Sequence, residues 1–424
     1  MNVLALVTLL AFEGADAPAQ QRLTMDQVVQ MATASSPALK AARARARGNE
    51  EQAKSLRGRL LPSVNLSDEY QRWDSPFVIP QFSLQARGVS TNAFVVSAGQ
   101  PLLGLLHLSS DHHALSTAAE AATFDARTLE ANLRDDVRAE FLRMFEARTL
   151  AGVAHASQNQ LAEQIAVAKE KLAAGVLTPA DVLRLDVAAA NARQQEIQAA
   201  AAEQISRATL LVAIGRESED PSVSFVEPAT PERADASEGE LPPLVVKALR
   251  ERSEIRSAAL TAEAASASSR SRTYDMLPEV DLEAGYMHMT GQTFVKPDSA
   301  FIGLRAGWQI WDWGARWYQH RAAASQAVAA RAQADDARRR VETDVAAKLA
   351  NVRATASALE TGRTTIGSAE EAYRVTALLL ATGSANTTDL LDSQSALTQA
   401  RLNFARARYE YALARLRLSR AVGD

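Results

Sequence analysis

The chain has 424 residues, no cysteine, 46 basic against 50 acidic side chains for a formal charge of -4, and aromatics at only 5%. The missing cysteine excludes disulfides, thiolate metal sites, cysteine nucleophiles and a lipid-bearing N-terminal cysteine. Acids and bases are interspersed, so no face reads as a footprint for nucleic acid. Abundant Ala with few aromatics describes long helices packed closely through small side chains.

In chain order, residues 1–19, MNVLALVTLLAFEGADAPA, give an apolar run followed by an A-x-A pattern at Ala15 to Ala17. That reads as a secretory signal with its cleavage site, although the customary basic start is missing; a short buried helix is the other reading. No other apolar run approaches the ~20 residues of a membrane-spanning helix, so entry into a membrane is not expected to use helices.

The remainder is one unit twice. A shift of 208 positions superposes Asp136 on Asp344, Glu163 on Glu371, Gly175 on Gly383, Asp181 on Asp389, Leu183 on Leu391, Arg193 on Arg401 and Gly215 on Gly423. Upstream, LPSVNL falls on LPEVDL with a shift of 216. The repeats span residues 20–215 and 244–424, and the Pro-, Glu- and Ser-rich residues 216–243 between them read as a connector or irregular layer. Each repeat is expected to run helix, two strands, very long helix, tight turn, returning helix.

In the first repeat, Val64, Leu66 and Tyr70 alternate with polar residues, and Phe94, Val96 and Ala98 mark a partner strand. The long helix is expected from about Leu105 to Leu172, roughly 100 Å at ~1.5 Å per residue, which calls for an elongated architecture. His107, Asp111, His112 and His113 open this helix, with His107 and Asp111 at i and i+4. They could hold a metal, but with no further ligand nearby a solvated, polar helix start is the preferred reading. In the second repeat, EVDLEAGY puts Val280, Leu282, Ala284 and Tyr286 on one face and Glu279, Asp281, Glu283 and Gly285 on the other. AFIGLRAGWQIW puts Ile302, Leu304, Ala306, Trp308 and Ile310 opposite Phe301, Gly303, Arg305, Gly307 and Gln309. Met287, His288 and Met289 evoke copper, yet successive strand residues point to opposite faces, so His288 does not converge with the methionines. A second long helix from about Gly314 to Leu380 keeps a heptad through Val345, Val352, Leu359, Ile366, Tyr373 and Leu380, a supercoiling seam.

All five tryptophans lie in or beside the strands. Trp73, Trp308 and Trp311 are read as membrane-interface aromatics, since an indole is apolar with a wet N–H; a small soluble hairpin cap under another layer is the alternative. Four strands can be long enough to cross a bilayer when tilted but leave open edges, which hydrocarbon does not tolerate. Closed barrels begin at about eight strands, so the chain is expected to complete its barrel with copies of itself, three giving twelve.

The duplicated unit, the LP.V.L strand entry, GQPLLG at residues 99–104 with its counterpart WQIWDWG at 308–314, and the turns LAAGVLTPADVL and LATGSANTTDLLD resemble the TolC-like outer membrane factors over essentially the whole mature chain. The resemblance implies a mainly α fold with a small β part. Long antiparallel coiled-coil hairpins would form an α-barrel across the periplasm, continuous with a trimeric 12-stranded transmembrane β-barrel in the outer membrane of a Gram-negative-type bacterium. It implies an exit duct for a tripartite efflux pump or type I secretion system, with a periplasmic adaptor and an inner-membrane transporter of RND, ABC or MFS type as partners. The tips at Gly175, Val176, Leu177, Thr178 and Pro179 and at Gly383, Ser384 and Thr387 would dock the adaptor. Asp389 and Asp392 match the acidic pair that lines the periplasmic entrance in the family, and Asp181 the acidic position of the first turn, with Arg184 where a second acid would stand. An aspartate early in a helix also stabilises its N-terminal end, which is the competing reading. Leu380 and Ala385 occupy the places of the Tyr and Arg that lock the entrance in some relatives, so that lock is not expected here. No nucleophile elbow, phosphate loop or metalloprotease helix is present, and no cofactor or metal is expected. A soluble periplasmic coiled-coil scaffold or adaptor is the reading from a different class.

Overall fold

Proline and glycine set where the elements begin and end. In a computed structural model, which describes residues 21–235 and 239–424, the chain runs β1 (Gln21–Leu23), α1 (Met25–Ser35), α2 (Pro37–Gly58), β2 (Ser63–Arg72), β3 (Phe77–Ile79), β4 (Leu84–Pro101), α3 (Gly104–Ala173) and α4 (Pro179–Ala213). It continues β5 (Val223–Phe225), α5 (Leu241–Glu251), α6 (Ser253–Tyr274), β6 (Glu279–Gln292), β7 (Asp298–Gly307), α7 (Ala315–Ala381) and α8 (Thr387–Val422). The expected signal segment, residues 1–19, lies outside the described residues. Pro62 and Pro278 stand just before β2 and β6, where a residue without an N–H can end a helical stretch and open a strand. The two long helices match their expected bounds to within a residue at each end. The single helix expected before each strand pair is instead two, α1 with α2 and α5 with α6.

The chain divides into two compact units. One comprises the residues up to 36, 131–240 and 347–420. Its main core gathers Phe141, Phe145, Leu211, Phe225 and Tyr409, with Phe141 edge-on to Phe225 at 5.8 Å. A pair of short parallel strands, β1 and β5, caps this core, and β5 lies in the segment expected to be a connector. Tyr409 and Tyr411 of α8 anchor that segment. The Tyr409 hydroxyl donates to Glu227 at 2.9 Å, and the Tyr411 hydroxyl accepts from the Asp235 N–H at 2.9 Å. Along α7, Val352 and Leu359 are buried, whereas Ile366, Tyr373 and Leu380 are only half-buried, so the heptad seam fades toward the α7–α8 turn. There Tyr373 is tied by hydrogen bonds, its hydroxyl accepting from Gln160 at 2.6 Å and Gln164 at 3.2 Å.

The other unit comprises residues 37–130, 241–346 and 421–424. It holds an antiparallel sheet in the order β2-β4-β6-β7, with β3 pairing an extension of β4. At the junction of α5 and α6, Arg252 is largely buried between Glu254 and Asp344, its Nη1 donating to Asp344 at 2.7 Å. At the start of α3, His107 is spoken for within the protein. Its Nδ1 lies 2.7 Å from Asp275 and its Nε2 3.4 Å from Asp111, and His113 lies 3.2 Å from Glu263.

One strand is shorter than its alternation suggested. β7 ends at Gly307 because its neighbour β6 begins at Glu279, the last rung being Glu279 with Gly307. Trp308, Gln309, Ile310 and Trp311 keep the apolar–polar rhythm but have no ladder to join.

Candidate functional site

Two places carry the residues singled out in the sequence: the paired helical turns in the first unit, and the sheet in the second.

Both turns are built alike. Gly175 and Gly383 take φ of +74° and +79°, the left-handed conformation that a helix commonly needs to end. The Gly175 and Val176 N–H groups return to the carbonyls of Leu172 and Lys171, at 2.9 Å each, and the Gly383 and Ser384 N–H groups to Leu380 and Leu379, at 3.3 and 2.8 Å. This double closure is the Schellman arrangement. A Cβ on either glycine would meet nothing within 4 Å, so the constraint there is backbone conformation alone.

The next helix then starts with a side-chain cap. Thr178 donates its N–H and its hydroxyl to Asp181 Oδ2, at 3.0 and 2.6 Å, and Pro179 fills the first helical position. These bonds, the hydroxyl first and then the N–H, hold the Asp181 carboxyl below its ordinary range. At the second turn, Asn386 and Asp389 cap each other. The Asn386 N–H donates to Asp389 Oδ2 at 3.0 Å, and the Asp389 N–H to Asn386 Oδ1 at 2.9 Å. Asp181 and Asp389 therefore both act as helix caps. Asp392, one turn further on, is exposed, and its side chain makes no hydrogen bond or ion pair among the described residues.

The two turns lie together around a groove of about 520 Å³, floored by Val167, Val176, Leu177, Leu380 and Leu390 and rimmed by Glu163, Lys171 and Asp181. Arg184 bridges them, its Nη1 donating to Thr388 Oγ1 at 2.7 Å. This bridge was not legible in the sequence, which offered Arg184 only as a departure from an acidic pattern.

In the sheet, the register puts the expected apolar residues on one face, except Trp308 and Ile310, which lie past the end of β7. Leu66 stands opposite Val96, Val96 opposite Tyr286, Ala284 opposite Ile302, and Leu282 opposite Leu304. Ile302 and Leu304 are 77% and 68% exposed, so none of the described residues covers this face. The other face carries Asn65, Ser67 and Glu69 of β2, Ser97 of β4, Glu279, Asp281 and Glu283 of β6 and Arg305 of β7, with Arg305 donating to Glu283 at 2.8 Å.

The tryptophans flank the sheet at opposite ends. Trp73 follows β2 at the hairpin end, where its Nε1 donates to Thr91 at 3.2 Å and the Arg87 guanidinium stacks 3.6 Å over its ring. Trp308 and Trp311 follow β7 at the helix end, both well exposed, with the Trp308 Nε1 donating to the Met276 carbonyl at 3.2 Å. Strands of 10 residues at ~3.3 Å each, if tilted by ~40° as in a closed barrel, would span roughly 25 Å, the height of the apolar band of outer-membrane barrels. Among the described residues, no helix is long and apolar enough to cross a membrane.

The fold is similar to several solved channels. The outer-membrane channel OprN shares 19% identity at a TM-score of 0.84 over 94% of this chain and 89% of that one. The CmeC outer membrane channel of Campylobacter jejuni shares 13% at 0.80, covering 94% and 85%, and the outer membrane protein VceC of Vibrio cholerae 16% at 0.79, covering 94% and 96%. At such identities the likeness carries the fold. No curated protein matches the sequence. The family model for outer membrane efflux proteins, however, matches residues 28–216 and 244–424, both halves of the duplicated chain. The chain belongs to the outer membrane efflux protein family.

Proposed function

We propose that three copies of this chain form an exit duct in the outer membrane, reaching into the periplasm, through which solutes delivered by an inner-membrane transporter of RND, ABC or MFS type and a periplasmic adaptor leave the cell. The observation that carries this reading is the sheet: most of its apolar residues share one face that no described residue covers, and among the described residues β2 and β7 each leave an edge unpaired. In hydrocarbon an open edge strands backbone N–H and C=O groups, so the edges must meet. With β7 running toward the helices and β2 away from them, one copy's β7 pairs antiparallel with the next copy's β2; closure needs at least two copies, and the three that the family resemblance implies give twelve strands. A soluble scaffold is the weaker reading, because it would leave this apolar face in water.

The duct needs no chemistry of its own. Its narrow end is placed at the paired turns, where the groove between them receives the adaptor and Asp392 of each copy, with Asp389 beside it, gives the entrance a negative potential that concentrates cations. In detergent, light scattering should return a trimer; a folded monomer with native strand content would overturn the reading. In planar bilayers the wild-type channel should be cation-selective. Asp392→Asn should remove most of that selectivity, and Asp389→Asn should act mainly by loosening the start of α8. Unchanged selectivity in the double variant would leave both residues as features of the helix end only.

A further inference from the structure

We infer that the inner wall of the barrel carries a binding belt for amphiphilic cations, which makes these the solutes that the duct retains longest on their way out. The inference rests on the closed barrel proposed above, whose lumen is lined by the polar face of the sheet.

That face is not uniformly polar. The register places Ala93 opposite Met289 and Val95 opposite Met287, and Phe301 opposite Gly285, two residues along β6 from Met287. Cross-strand neighbours stand about 5 Å apart and same-face neighbours on one strand about 7 Å, so these side chains form one continuous apolar patch. The outer edge of the Phe301 ring lies over Gly285, where a Cβ would come within 2.8 Å of two ring carbons and 2.9 Å of the Val96 carbonyl oxygen, so the glycine lets the ring sit close to the wall. Phe301 is 46% exposed. Barrel interiors that carry only water and ions are polar, so three copies of such a patch form a girdle that needs an explanation.

Its neighbours supply the charge. On the same face stand Glu279, Asp281 and Glu283, toward the helices, and Glu69 of β2, opposite Ala93; Arg305 on this face is already paired with Glu283, Arg72 ends β2 on the other face, and Arg87 stacks on Trp73. An apolar belt beside unbalanced carboxylates fits a solute with an apolar body and a positive charge. The thioethers adapt to many shapes, and the Phe301 face attracts a cation directly. Soft metal ions fit less well, because His288 points to the other face and pairs with Asp298 at 2.8 Å.

The test uses the reconstituted channel in planar bilayers, with tetraphenylphosphonium as probe and tetraphenylborate, the same shape with opposite charge, as control. The phosphonium should produce resolvable blocks in the wild type and dwell at least several-fold longer than the borate. In Met287→Gln/Met289→Gln/Phe301→Gln, its dwell time should fall about tenfold, while conductance in potassium chloride stays the same. Equal dwell in wild type and triple variant, or borate dwelling as long as phosphonium, overturns the inference. Should the triple variant fail to assemble, Phe301→Ser alone is read by the same dwell time. A wild type that forms no channel would instead overturn the closed barrel.

Discussion

Replacing Gln394 with Leu should stabilise the helical unit, because it removes a polar group that the fold leaves without a protein partner. Gln394 is 2% exposed on α8, and neither its amide nitrogen nor its amide oxygen is hydrogen-bonded. It lines a cavity of about 220 Å³ with Ser157 of α3, Asn191 and Gln195 of α4, and Thr398 of its own helix. A buried amide without its partner costs about 1–3 kcal/mol, and a leucine of similar volume adds apolar contact with Leu161 and Leu402, which line the same cavity. Water in the cavity recovers part of the amide's loss, so the net gain should be about 1–2 kcal/mol. Read as hydrogen exchange of α8 amides near residue 394, that is roughly five- to thirty-fold slower opening. Gln394→Ala should go the other way, because it leaves a larger hole. Faster exchange in Gln394→Leu would refute the reasoning, since the amide would then be fully satisfied by ordered water worth more than the leucine contacts.

Three further outcomes follow from the sheet and the turns. Leu304→Arg puts a charge on the apolar face at a cost of about 2–4 kcal/mol, whereas Gly303→Arg, on the other face with open space around it, should cost little; the yield of folded trimer in outer membranes separates them. Gly175→Val with Gly383→Val forces a β-branched residue into the left-handed region at roughly 1–2 kcal/mol per turn, and should abolish export from cells while leaving trimers in the membrane. The Asp181 carboxyl is held below its ordinary range in the folded chain, so the first turn's cap is in place above the unfolded value and is lost as pH falls through the folded one. Hydrogen exchange at residues 174–181 should therefore quicken below about pH 4, and in Asp181→Asn it should lose that pH dependence.

The sequence disclosed faces better than pairings. Alternation placed Val280, Leu282, Ile302 and Leu304 on one side, and the register agrees, because the pleat alone decides which side a residue takes. It could not show that β7 stops at Gly307, since a ladder ends where its neighbour ends, and Trp308 to Trp311 keep the rhythm past that point. The pair of β1 and β5 was beyond reach for a related reason: each has three residues, and their partners lie some 200 positions apart. The turns were legible in outline through Gly175 and Gly383. Their caps were only half so, because Asn386 with Asp389 has the spacing of a mutual cap, but an acid near a turn invites an electrostatic role first. Gln394 gave no signal, since a glutamine at a core position is indistinguishable from a solvated one until the neighbouring helices are in place.

What the duplication keeps and what it lets drift separates framework from function. Gly175 and Gly383, and Asp181 and Asp389, occupy equivalent places and perform equivalent tasks, ending one helix and starting the next. Those tasks are backbone tasks, and a second copy has no freedom to abandon them. Three residues further on, the copies part. Arg184 reaches across to Thr388 and joins the two turns, while Asp392 is left exposed and unengaged. A carboxylate that forms no bond within its own chain is free to act on a passing solute, and the Arg184 guanidinium on the neighbouring turn holds that carboxylate's helix in place. In the duct proposed above, the acidic character of the entrance would thus fall to the second repeat, and the joining of the turns falls to the first.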